Sequence, residues 1–389
     1  MQRTHKDPSA YRMKIPVAAA LLLAGLLASL AGEVRAADPA WVVRSPQVFH
    51  MDSTTLALAY RRAKSLAPPL ESLLIARGPA LVGEAYFNGR GPGNLWNIKS
   101  ASKSILSILI GIAREQGYLQ SLDQTIDQFF PEYFAQSSPT PKEAITLRDL
   151  ITMRAGLQTT SFYNYGEWVT SDNWARWTLD QPLISPPGTR MIYSTGNSHL
   201  LSVILTRATG MSTLDFAREH LLEPLDIRRI RWSQDPQGYY FGGNNMALRP
   251  RDLLKIGELY LNNGQHRGRQ IVPGTWVWES TRPYVQSRFS HHWQGYFWWT
   301  DWYGGYRTVF AWGHGGQFIF IVPQLSLVVV CTSSLTDRPD KGNHNENVLR
   351  LLEDYIIPAV VQPAHRRQAA RTTRVGAGTQ AGMVLSTGE

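Results

Sequence analysis

The chain has 389 residues, 43% of them hydrophobic and 18% charged, enough apolar content for a sizeable core and too little charge for a disordered chain. Its 13 Trp, 16 Tyr and 13 Phe describe an aromatic-rich globular protein of one large domain or two closely packed ones, and no repeat of about 20–50 residues runs through it, which excludes a solenoid. The net charge is +9, but residues 1–36 and the segment from Ala364 carry +3 each and leave only +3 for the body, too weak a basic face to expect a nucleic-acid partner.

In chain order, Arg12 and Lys14 precede an apolar stretch from Ile15 to Ala31, and Val34-Arg35-Ala36 has the small-residue pattern of an export cleavage site. The stretch is about 17 residues, at the short edge for a membrane span. A signal peptide over residues 1–36 is expected, with the mature protein periplasmic or secreted and membrane-bound only if the signal is uncut. A helix is expected to begin near Ser53. Strands are expected over Leu73–Ala76 and Leu81–Phe87, around the Arg77-Gly78-Pro79 turn. Ser102 to Gln116 reads as a helix stopped by Gly117, with Ile105, Leu106, Ile108, Leu109, Ile110 and Ile112 covering almost every face, so it belongs at the centre.

Helical pieces joined by loops follow from Ser121 to Arg229, among them one capped by Thr146 and one over Ser198–Ala208. Another helix is expected over Pro250–Asn262. Strands then read over Gly295–Trp299, Phe318–Val322 and Leu325–Cys331, the last two split by Pro323-Gln324 as a tight hairpin. Val348–Val360 closes as a helix, and residues 364–389 read as a disordered tail. The order predicts an α+β fold over 37–363. Both ends of the chain contribute to one sheet, and a helical lobe of about residues 120–230 is inserted between them, with a cleft between the lobes as the place for a site. Cys331 is the single cysteine, which excludes an intramolecular disulfide and a multi-cysteine zinc site, and its apolar surroundings mark it as a buried small hydrophobe.

Three segments carry chemistry. Ser100-Ala101-Ser102-Lys103 opens the central helix, and a serine and a lysine three apart share one helical face. A lysine kept from solvent there loses its proton more easily and can take that of the serine hydroxyl. In Pro186-Pro187-Gly188 to Asn197, a Pro-Gly turn brings Tyr193 to the start of a helix, where a phenol can shuttle a proton to a leaving group. In Trp312-Gly313-His314-Gly315-Gly316-Gln317 the glycines let a strand edge approach a ligand, and a backbone N–H can point at an oxyanion. The bland alternatives are a capping serine with a surface lysine, a packed tyrosine and a plain glycine turn. There is no G-x-S-x-G elbow, H-E-x-x-H, P-loop or G-x-G-x-x-G. His291-His292 reads as a surface pair, and Trp293, Trp298, Trp299, Trp302 and Trp312 read either as core or as an aromatic wall for an apolar or sugar-like acyl group.

Together and in this order, the three segments resemble the serine β-lactamase and penicillin-binding superfamily, in its class C branch with the related esterases and 6-aminohexanoate-dimer hydrolases. Ser100 to Lys103 matches the S-x-x-K box, Tyr193-Ser194-Thr195 the tyrosine box, and His314-Gly315-Gly316 the K-T-G-like box. Supporting matches are residues 145–157, Leu222-Glu223-Pro224-Leu225 and the Gly242-Gly243 segment through Leu253. The resemblance implies a β-lactamase-like fold and a serine hydrolase with no metal or organic cofactor. It implies Ser100 as nucleophile, Lys103 as its base and Tyr193 as proton shuttle, with the amides of Ser100 and Gln317 as oxyanion hole. His314, Gly315 and Gly316 would face a small-molecule amide or ester, joined by Tyr163 or Tyr165 from the loop after the Arg-Ala-Gly-Leu turn. Two departures stand out: Thr195 replaces the usual asparagine, and His314 the lysine that binds a drug carboxylate. Both favour an esterase or amidase over a β-lactamase or D-alanyl-D-alanine peptidase, and a silent ligand-binding module has no need of the intact trio.

Overall fold

An apolar hairpin near the start of the chain pairs, through its first strand, with a strand near the chain's end, and that pairing sets the architecture. The computed structural model describes residues 41–135, 140–335 and 343–360, so the expected signal over 1–36 and the tail over 364–389 lie outside the described residues. The strands are β1 (Leu70–Arg77), β2 (Ala80–Tyr86), β3 (Trp96–Asn97), β4 (Arg231–Trp232), β5 (Met246–Leu248), β6 (Gln265–His266), β7 (Arg269–Gln270), β8 (Val285–Gln286), β9 (Trp293–Gln294), β10 (Trp299–Tyr303), β11 (Tyr306–Gly313), β12 (Gln317–Val322) and β13 (Leu327–Ser333). The helices that matter here are α1 (Ser53–Leu66), α2 (Ser102–Glu115), α3 (Leu147–Ile151), α4 (Tyr165–Thr170), α5 (Trp174–Asp180), α6 (Thr195–Thr209), α7 (Pro250–Leu261) and α8 (His344–Leu351).

One sheet has eight strands in the order β2-β1-β13-β12-β11-β10-β9-β8, every neighbouring pair antiparallel. Side chains alternate between its faces. Leu74, Ala76, Ile319, Ile321, Val328 and Val330 join the core of α2 and α7. Leu73, Ile75, Phe318, Phe320, Val329 and Cys331 join that of α1 and α8. Helices cover both faces, which is why β1, β12 and β13 are apolar almost without interruption rather than alternating with polar residues.

The helical pieces expected after Ser121 are present. Thr146 caps α3 with a reciprocal box: its Oγ1 accepts from Asp149 N at 3.1 Å, and Asp149 Oδ2 accepts from Thr146 N at 3.0 Å. α2 is buried from Ser102 to Ala113. A small sheet of order β3-β5-β4 ties the segment before α2 to the segment before α7, and the site forms across that tie.

Several boundaries differ from expectation, among them that the helix expected over Ser198–Ala208 spans Thr195–Thr209, and Tyr306–Gly313 is a strand that was not expected. The strand expected over Gly295–Trp299 begins only at Trp299. Phe297 has a left-handed φ of 59°, and a Cβ on Gly295 would stand 2.1 Å from Ser280 O, so this stretch bends against a neighbour and sends Tyr296, Phe297 and Trp298 into the core. β12 and β13 are joined by a 3₁₀ turn over Pro323–Leu325 with Ser326 left-handed, a four-residue connection rather than a two-residue hairpin, so β13 begins at Leu327. The closing helix starts earlier, at His344.

Candidate active site

The turn after β3 carries the first candidate side chain. Lys99 N donates to Asn97 Oδ1 at 3.0 Å, and Lys99 has a left-handed φ of 51°, a sparsely populated conformation for a residue with a side chain. A 3₁₀ turn over Lys99–Ala101 runs directly into α2, which puts Ser100 and Lys103 one turn apart on one face. Lys103 Nζ lies 3.0 Å from Ser100 Oγ and donates to Gly243 O at 2.8 Å and Thr195 Oγ1 at 3.3 Å. It is 2% exposed, and none of these partners is a carboxylate. Burial without a counter-charge disfavours the ammonium and pulls its pKa down to about 7. Near neutral pH the amine therefore offers a lone pair to the Ser100 hydroxyl.

Tyr193 precedes α6, and its ring centroid is 5.2 Å from Lys103 Nζ. Burial pushes its phenol up to about 12, opposed by its contact with the Ser100 hydroxyl. A lysine near 7 beside a phenol near 12 divides the labour: the amine can accept a proton and the phenol keeps one to give. The Gly243 carbonyl reaches Lys103 because two glycines allow it. A Cβ on Gly243 would stand 2.7 Å from Lys103 Nζ, and one on Gly242 2.1 Å from Ser198 O.

The turn between β11 and β12 supplies the far side. A Cβ on Gly313 would lie 2.1 Å from Ile98 O, so β11 abuts the turn bearing Ser100, and its register pairs Gly313 with Gln317. The Gln317 side chain clips β12 to β13: Nε2 donates to Ser333 O at 2.8 Å, and Ser333 N donates to Oε1 at 3.1 Å. Gly315 and Gly316 have φ of 85° and 87°, and a Cβ on Gly316 would meet His344 Nε2 at 2.5 Å. These two shape the turn and do not line the cavity, where the sequence had put them against substrate, whereas His314 does line it.

A cavity of about 400 Å³ opens over Ser100, and Phe162, Tyr165, Tyr193, Phe289, Trp299 and Trp312 give it an aromatic wall. The rings are coupled, with Phe289 5.7 Å from Tyr193 and Trp299 5.6 Å from Trp312. Of the two tyrosines left open by the sequence, Tyr165 lines the cavity and its Oη accepts from Asn244 Nδ2 at 2.7 Å. Tyr163 is 73% exposed and off the wall. The five tryptophans split. Trp299 and Trp312 form wall, Trp298 is core, Trp302 is exposed and Trp293 is half-buried in β9. His292, expected on the surface, is half-buried with Nδ1 2.5 Å from Asp301 Oδ2.

Sequence reasoning missed Lys99, Ser161, Phe162, Asn244, Phe289 and Asn345 in the lining. Asn244 stood in a segment already singled out, but Phe162 and Phe289 are exposed loop aromatics that no periodicity marks.

Residues 71–353 match the family described as Beta-lactamase. The chain belongs to the beta-lactamase family. It is 24% identical over 302 residues to the 6-aminohexanoate-dimer hydrolase of Paenarthrobacter ureafaciens, a match covering 69% of this chain and 74% of that protein. Its fold is similar to that of a class C beta-lactamase from Rhodobacter sphaeroides, with a TM-score of 0.60, 19% identity, and coverage of 79% of this chain and 100% of that one. It is similar also to EstCE1, a hydrolase with promiscuous acyltransferase activity, at a TM-score of 0.61 and 16% identity over 77% of this chain and 98% of that one. The protein is a serine hydrolase of mixed α/β, β-lactamase-like fold, related at low identity to 6-aminohexanoate-dimer hydrolase.

Proposed function

We propose that this beta-lactamase-family hydrolase cleaves a small amide or ester through an acyl-enzyme on Ser100. The observation that carries the reading is Lys103, buried, 3.0 Å from Ser100 Oγ and bonded to hydroxyls and a carbonyl rather than a carboxylate. The neutral amine takes the Ser100 proton as Oγ attacks the carbonyl carbon. The amides of Ser100 and Gln317 hold the oxyanion. Tyr193 passes its proton to the departing nitrogen or oxygen and regains one from Lys103, so the C–N or C–O bond breaks to release a neutral amine or alcohol. Water then attacks the Ser100 ester, gives a proton back through the same groups, and frees the acid.

The substrate we favour has an apolar part against Trp299, Trp312 and Phe289 and no need of a drug-type carboxylate clamp, since His314 and Thr195 replace the side chains a β-lactam would use. The aromatic wall offers stacking area, and flat apolar groups gain most from it. Residues 12–36 carry the further proposal that the protein is exported to a periplasm or secreted; N-terminal sequencing of material recovered outside the cytoplasm, beginning at Ala37, is the expected result.

The test of the reaction is intact mass after brief exposure to a short-chain p-nitrophenyl ester, with Ser100→Ala beside it. One acyl adduct and a product burst are expected in the parent and neither in the variant. An adduct that persists in Ser100→Ala would remove Ser100 as the nucleophile.

A further inference from the structure

Behind the loop that holds Lys103 lies a buried imidazole–carboxylate pair that the acyl-enzyme scheme does not use. His199 sits on α6, one turn beyond Thr195, and its Nε2 is 2.9 Å from Asp235 Oδ2, both side chains fully buried. Trp168, Trp174 and Phe241 pack around the imidazole with ring centroids 5.9, 5.4 and 6.1 Å away. A pair sealed among aromatic rings costs desolvation that a surface pair does not.

The hydrogen-bond inventory fixes the tautomer. Asp235 Oδ1 accepts the backbone N–H groups of Gln237 at 2.9 Å and Tyr239 at 2.8 Å, as an ionised, acceptor-only carboxylate does. Nε2 of His199 carries the hydrogen facing Oδ2, and Nδ1 accepts, because the group that faces it is a backbone N–H. The N–H facing Nδ1, at 3.5 Å, is that of Gly242. The next residue is Gly243, whose carbonyl accepts from Lys103 at 2.8 Å. The loop is fastened on its other side too, where Asn244 Nδ2 donates to Tyr165 Oη at 2.7 Å and Asn97 Nδ2 to Asn245 Oδ1 at 3.1 Å.

We propose that His199 and Asp235 are positioning residues for Lys103: the carboxylate sets the imidazole tautomer, the imidazole holds Gly242, and the Gly243 carbonyl fixes the amine beside Ser100. The proposal rests on Lys103 being the base of the proposed reaction. The rings facing the pair do not titrate, and the groups facing Lys103 are Ser100, Thr195 and Tyr193. Loosening the loop therefore acts on the amine chiefly by admitting water, which relieves its desolvation and favours the ammonium.

Asp235→Asn tests this with almost no change of shape. The amide still accepts from the two backbone N–H groups but turns a donor towards Nε2, so the proton moves to Nδ1 and opposes the Gly242 N–H. In burst kinetics with a p-nitrophenyl ester, the acylation rate is expected to fall about fivefold, the size of one ordinary hydrogen bond, and its acid limb to move to higher pH. His199→Asn keeps an acceptor in the place of Nδ1 while giving up the hydrogen bond to Asp235, and its acylation is expected to lie nearer the parent than that of Asp235→Asn, whatever its Tm. An unmoved acid limb in Asp235→Asn, or acylation in the two variants that simply follows their Tm, overturns the proposal in favour of a structural pair. Should Asp235→Asn not accumulate folded, His199→Gln keeps the donor to Asp235, removes only the acceptor, and carries the same expectation. A parent that is never acylated would instead remove the Ser100 reading itself.

Discussion

Among the described residues two lysines are buried, and their surroundings differ. Lys103 at the start of α2 is 2% exposed and Lys255 in α7 is 5% exposed. Each donates to a main-chain carbonyl, Gly243 O at 2.8 Å and Asp226 O at 3.0 Å. The difference is the next neighbour. Lys255 has Asp252 at 3.9 Å, itself bound twice by Arg249 at 2.7 and 2.8 Å. Lys103 has the hydroxyls of Ser100 and Thr195 instead. Burial is common to both, so burial alone does not make a base. A carboxylate offsets the desolvation of an ammonium, and its absence leaves loss of the proton as the cheaper outcome. The protein thus contains its own control for the lysine proposed as the base.

The largest expected effect breaks this comparison directly. Lys103→Met should lower kcat/KM for a p-nitrophenyl ester by about 10³-fold or more, because a nucleophile and its base act as one unit. Lys255→Met should leave the same rate close to the parent. Next in size is the pH dependence. Since Lys103 is drawn down to about 7, kcat/KM should rise from acid pH with a midpoint near that value. A midpoint in the ordinary lysine range would mean that the base is another group or that water reaches the amine.

Stability separates the two lysines in sign. Between about pH 7 and the ordinary lysine value, the unfolded chain keeps the Lys103 proton that the folded protein has lost, so folding stability climbs with pH across that window. Lys103→Met lacks this slope. Its stability gain over the parent should be greatest below about pH 7 and shrink as pH rises, read from urea midpoints at several pH values. Lys255→Met should instead lose ~1–3 kcal/mol, because a buried carboxylate is left with one partner fewer.

How much of this was legible beforehand follows from the kind of signal each part leaves. The central helix, the paired strands from the two ends of the chain and the Ser100/Lys103 spacing are written in local patterns, a near-continuous apolar run and an i, i+3 pair. The bend at Gly295–Trp298 was not, since its aromatic sequence suits a strand and only tertiary contact with Ser280 O forces it out of one. The partner that matters most to Lys103, the Gly243 carbonyl, is a backbone atom and carries no residue-type signature. Tyr165 and Tyr163 stand two apart with equal claims in sequence, and only the packing of α4 turns one of them to the cavity.

The rim residues were the least legible and should give the smallest effect. Phe289 is 52% exposed, yet its ring lies 5.9 Å from Phe162, 5.7 Å from Tyr193 and 6.0 Å from Trp299. An exposed ring adds little to folding, so Phe289→Ala should leave Tm nearly unchanged. What it removes is apolar area that a bound substrate covers equally in the ground and transition states, and that raises KM without lowering kcat. With a long-chain or aryl acyl ester, about 3- to 10-fold in KM is expected from the area of part of one ring; with an acetate ester, too short to reach the rim, almost nothing. A fall in kcat for both esters alike would instead place Phe289 with Tyr193 in orienting the reacting groups, and the division between a polar catalytic side and an aromatic binding side would have to be redrawn.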